Sequence, residues 1–98
     1  MSFEFGFDSF SSCLQQAFRL RVDDSQSLDL ILVKAEQHDG QNEDHRAERF
    51  SLLFQGPPGI VLPQRMYRLN HERLGEFDLF IVPVEADDEG VRYEAVFS

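Results

Sequence analysis

Apolar residues recur at every second position in five separate stretches of the chain, the period of a strand with one buried face. Phe18, Leu20 and Val22 alternate with Arg19, Arg21 and Asp23. Leu28, Leu30 and Leu32 restart the alternation after a polar turn over residues 23–26, so residues 17–36 are predicted to form a hairpin. Phe50, Leu52 and Phe54 carry the pattern up to Gly56-Pro57-Pro58-Gly59, where two prolines remove the donors a ladder needs. Residues 55–65 therefore read as a stiff crossing. A short strand over residues 66–70 and a turn over 71–75 lead into the longest strand. There Phe77, Leu79 and Ile81 share one face, and Phe80 and Val82 the other, before Pro83 weakens the ladder. An acidic turn over residues 85–90 precedes a last alternating set, Val91, Tyr93, Ala95 and Phe97.

The first sixteen residues differ. Phe3, Phe5 and Phe7 alternate in a glycine-interrupted terminus, and Asp8 or Ser9 is placed to cap a short helix through Phe10, Cys13, Leu14 and Ala17. Such a helix is too short to stand alone, so its aromatics must dock on something. Six strands with short connections and no long helix predict an all-β fold. The expected arrangement is an antiparallel meander, closed or nearly closed into a small barrel, with a short helix near residues 8–16, in one domain spanning residues 1–98.

Three strands break the rule of one wet face. Ile31, Val33, Leu53, Phe80 and Val82 lie opposite Leu30, Leu32, Leu52, Leu79 and Ile81, so both faces are apolar there. These five residues are the candidate interaction site. Their cover is expected to be either the N-terminal stripe of Phe3, Phe5, Phe7, Phe10 and Leu14 or a second subunit or partner.

Composition narrows the functions. With 42% apolar residues and ten Phe among 98 residues, the chain is too apolar for a disordered segment. A chain of this size buries only about 60–65% of its unfolded surface, which favours added contacts from a partner or a second copy. Lys and Arg number 9 against 18 Asp and Glu, a net charge of −9 shared between both halves. That field repels nucleic acid and anionic membrane surfaces, so neither is an expected partner. Phe18-Arg19-Leu20-Arg21 and Tyr67-Arg68 interleave rings with cations, but alternation sends the two sets to opposite faces. One cysteine, Cys13, excludes an internal disulfide, and a reducing cytoplasm is the expected location. Acidic residues near the N-terminus are unlike a signal peptide, and no run is long and apolar enough for a membrane span.

Little catalytic chemistry is written in the chain. The stretch His38-Asp39-Gly40-Gln41-Asn42-Glu43-Asp44-His45 is rich in ligand types, yet its spacing fits neither a zinc helix nor a calcium loop, so a mobile solvated loop with no tight metal site is expected. Asp87-Asp88-Glu89-Gly90 supplies too few fixed oxygens for calcium. Gly56 to Gly59 lacks the Lys and the following helix of a phosphate loop. Threonine is absent, Cys13 reads as a small apolar filler, and His71 reads as a turn histidine. No catalytic residue, cofactor site or metal site is predicted, and the protein is expected not to be an enzyme.

The spaced motifs Phe50-Ser51-Leu52-Leu53-Phe54-Gln55-Gly56-Pro57, Leu62-Pro63, Tyr67-Arg68-Leu69, His71, Leu74-Gly75, Leu79-Phe80-Ile81-Val82-Pro83-Val84 and Tyr93-Glu94-Ala95-Val96-Phe97, with Phe18-Arg19-Leu20 ahead of them, cover roughly residues 10–97. In these the chain resembles a bacterial domain family of unknown function whose members are about this long. The resemblance implies no catalytic residues and carries a loose association with phage-tail-collar-like proteins. The expected function is a non-enzymatic interaction or assembly module, accessory to a phage-tail-like or surface complex, with a protein partner or a homo-oligomer. The alternative is a small-molecule binder that uses the barrel mouth.

Overall fold

The computed structural model describes residues 6–37 and 49–97. A short helix, α1 (Phe7–Ser11), precedes six strands: β1 (Ala17–Arg21), β2 (Ser27–Gln37), β3 (Phe50–Gly56), β4 (Arg65–His71), β5 (Gly75–Asp87) and β6 (Gly90–Phe97). They close into one antiparallel barrel in the order β1-β2-β3-β6-β5-β4. The meander expected from the alternation is thus realised as two three-stranded meanders, β1 to β3 and β4 to β6. Residues 57–64 cross between them, and the seams β1 with β4 and β3 with β6 close the wall. Pro57 and Pro58 cannot extend β3, which frees the chain to cross the barrel end.

The inward positions are those that the alternation marked. Phe18 and Leu20, Leu30 and Leu32, Leu52 and Phe54, Tyr67 and Leu69, Leu79 and Ile81, and Tyr93 and Ala95 all lie in one core cluster. Both barrel ends are filled as well. Phe10 of α1 enters one end and sits 5.6–6.4 Å, ring centre to ring centre, from Phe97, Phe77, Phe50 and Phe18. Phe7 meets the edge of Phe50 at 6.0 Å. At the other end Leu62, from the crossing, is buried beneath Tyr93, whose hydroxyl accepts the Leu62 N–H at 3.1 Å and donates to the Ile60 carbonyl at 3.4 Å.

Three local features depart from the sequence reading. Helix α1 starts earlier than expected and is capped by the Gly6 backbone, with no side-chain cap from Asp8 or Ser9. Cys13 and Gln16 instead bound a turn closed by the Gln16 N–H donating to the Cys13 carbonyl at 3.1 Å, within which Gln15 has a φ of 69°. In β2 the pairing with β3 skips Val33: Leu32 pairs with Phe54 and Lys34 with Leu53. Val33 is therefore the extra residue of a bulge, which explains an apolar residue out of phase with its strand. In β5 the ladder survives Pro83 and runs to Asp87, because a second irregularity, between Pro83 and Glu85, absorbs the proline.

Candidate functional site

The outer wall of the barrel has two unlike regions that meet on β4 and β5. Across β1 and β4 it is ionic: Arg19 pairs with Asp29 at 3.4 Å, and Arg68 with Asp78 at 2.7 Å and Glu76 at 3.5 Å. Phe18, Leu20 and Tyr67 point inward, so the apolar residues interleaved with those arginines in the sequence do not join them on the surface. Across β4, β5 and β6 the wall turns apolar. Met66 stands directly opposite Phe80, and Val82 follows Phe80 on the same face. Val82 is opposite Glu94, which is opposite Leu53 on β3, and Val96 follows Glu94 on its own strand. Met66 is 57%, Phe80 46%, Val84 52% and Val96 64% exposed, whereas Leu53, Val82 and Glu94 are half-buried.

The five sequence candidates thus fall into two groups on the outer surface. Ile31, Val33 and Leu53 lie on β2 and β3, all half-buried, and Phe80 and Val82 lie on β5. Strand β6 separates the groups and places Glu94 between Leu53 and Val82. The proposed N-terminal cover does not lie on this wall where it is described: Phe7 and Phe10 enter the barrel end, and Leu14 is 40% exposed. There Phe10 packs its ring among those of Phe18, Phe50, Phe77 and Phe97, as aromatic side chains prefer. Phe3 and Phe5 lie outside the described residues. The sequence reading missed Met66, Val84 and Val96. Met66 and Val96 are the outward members of alternations whose inward members are Tyr67, Ala95 and Phe97, so the rule that found Phe80 also finds them.

His71, Cys13 and Asp87 are engaged in holding the fold. His71 is buried, and its Nδ1 accepts the backbone N–H groups of Arg73 (3.1 Å) and Leu74 (3.2 Å). Nε2 therefore carries the proton and donates to Gln16 Oε1 at 2.7 Å. Burial first, and the nearby Arg73 charge second, hold the imidazole below its usual 6.5, with Glu72 opposing. Cys13 is buried, donating towards the Ser9 carbonyl at 3.4 Å, while Arg73 reaches from the β4–β5 turn to Cys13 Sγ (3.3 Å) and Ser12 Oγ (3.0 Å). Asp87 accepts the Glu89 N–H at 2.9 Å and binds Arg92 through both oxygens. The Arg92 contact is the main cause that holds its carboxyl below the usual range. Among the described residues no cluster of His, Cys, Asp and Glu is arranged to hold a metal ion. His38 and His45 lie outside those residues. No described helix is long and apolar enough to cross a membrane.

The molecule is a closed six-stranded antiparallel β-barrel with a filled interior and one apolar outer wall. The profile of a domain of unknown function (DUF6916) matches residues 5–97, and the chain belongs to that family. No curated protein and no solved structure matches it.

Proposed function

We propose that this domain is a non-catalytic interaction or assembly module that docks a protein partner on the outer wall formed by β4, β5, β6 and β3. The observation that carries this reading is the run Met66, Phe80, Val82 and Val96 on the outer face of β4, β5 and β6, bordered on β4 and β5 by the Arg68–Asp78 ion pair. Clustered exposed apolar residues mark interaction surfaces, and Phe and Met are favoured in the cores of such surfaces. The interior favours docking over the barrel-mouth alternative, since Phe54, Tyr93, Phe10 and Leu62 occupy the lumen and its ends. A role as accessory to a phage-tail-like or surface assembly is the form of this reading that the sequence resemblance suggests. A buried free thiol at Cys13 fits a reducing cytoplasm.

The test is a photoreactive phenylalanine analogue placed at position 80, and in a second variant at position 21 on the ionic wall, expressed in the cells that make the protein. Crosslinks to one defined protein from position 80 and none from position 21 support the reading. Equal crosslinking from both positions, or none from either, overturns it.

A further inference from the structure

The apolar wall has an acid at its centre. Glu94 has an aliphatic residue directly opposite on each side, Leu53 on β3 and Val82 on β5, with Val96 two residues further along the same face. Its natural partner would be Arg92, two residues back on the same strand and face. That guanidinium is already committed, to Asp87 through two nitrogens and to Glu85 at 3.3 Å. Lys34 stands opposite Leu53, two strands away from Glu94, and lies against Glu36 at 3.9 Å. Among the described residues, the Glu94 carboxylate has neither an ion pair nor a hydrogen-bond partner.

We propose that the partner of this wall inserts an arginine or lysine into the apolar ring, with the Glu94 carboxylate as its acceptor. The inference rests on the docking reading above and adds the chemistry of the occupant. A partner that covers Leu53 and Val82 must strip water from Glu94, and a wholly apolar partner would leave a desolvated, unpaired charge. A guanidinium repairs that loss, because its planar fork satisfies a carboxylate with two parallel hydrogen bonds while its stem lies on aliphatic side chains. A second copy of this chain fits worse. A two-fold contact centred on this wall would bring two Glu94 carboxylates together between molecules that each carry a net charge of −9.

The experiment uses the full chain, labelled with nitrogen-15, and two capped pentapeptide probes, Leu-Val-X-Val-Leu, in which X is arginine or its neutral isostere citrulline. Amide shifts at residues 53, 82 and 94 report docking. The arginine probe is expected to bind about tenfold tighter than the citrulline probe, the scale of one charge-assisted bond. Glu94→Gln should erase that preference, and Glu94→Asp, which keeps the charge, should retain most of it. Melting curves check that both variants fold. Equal binding of the two probes would leave the docking wall standing and overturn the cation. Binding of neither probe overturns this inference, whereas the crosslink from position 80 decides the docking reading separately. A parent that light scattering shows to be a dimer, and that Phe80→Glu makes monomeric, assigns the wall to a second copy and also overturns it.

Discussion

Single side chains tie the ends of this barrel to its wall, and two of them make sharp tests. Tyr93 is fully buried, and its hydroxyl is the partner of the buried Leu62 N–H. Tyr93→Phe keeps the ring and orphans that donor, so chemical denaturation should show a loss of about 1–3 kcal/mol, with little change in the circular dichroism spectrum. His71 should give the fold a pH dependence. Its folded pKa lies below the ordinary 6.5, so the unfolded chain takes up a proton that the folded chain refuses. The contribution is complete above pH 6.5 and is lost as pH falls from there through the lower folded value. Protonation of Nδ1 would expel the Arg73 and Leu74 amides. The midpoint of urea unfolding should therefore drop between pH 7.5 and 5.5 in the parent, and drop less in His71→Phe. An identical slope in the two proteins would remove His71 from the account.

At the scale of elements, α1 and the strand junctions depend on a few contacts. A helix of five residues has no stability of its own, so it is held by what it buries. Phe10→Ala should cost about 3–5 kcal/mol and raise hydrogen exchange through residues 7–16 before it reaches β2. Gly90 begins β6 with φ of 149°, and a Cβ there would press on the Gly56 carbonyl oxygen. Gly90→Ala should lower stability by about 2–3 kcal/mol, because backbone rather than a flexible side chain must yield. The inward face of every strand was legible, since Phe18, Leu30, Phe54, Leu69, Ile81 and Tyr93 each follow the period of two. The pairing of consecutive strands within each meander was legible as well, whereas the two seams, β1 with β4 and β3 with β6, were not, because alternation says which way a residue points and nothing about which strand closes the wall. That choice rests on the crossing over residues 57–64. The docking wall was half legible for the same reason. Phe80 and Val82 were found, whereas their separation from Leu53 by Glu94 depends on β6 lying between β3 and β5. Val33 misled because a bulge, unlike a strand, has no fixed phase.

For the whole molecule, the net charge of −9 on a small barrel makes self-repulsion a standing cost. The ion pairs on the β1–β4 wall are exposed and individually weak, so screening them loses little. Raising sodium chloride from about 10 to 200 mM, which shortens the Debye length from roughly 30 to below 8 Å, should therefore raise the melting temperature. A fall would show that the local pairs outweigh the global field.

The two seams also set a schedule for the newborn chain. Phe50 waits for Phe97, and Arg21 for Arg68, so neither seam can form while the first three strands are the only ones synthesised. Until the second meander is delivered, β1 to β3 form an open sheet whose bare side carries Phe18, Leu20, Leu30, Leu32, Leu52 and Phe54. A ribosome that pauses in the proline-rich crossing would hold that sticky half-barrel out to the cell, which makes the nascent chain a natural client for chaperones long before any partner meets the finished wall.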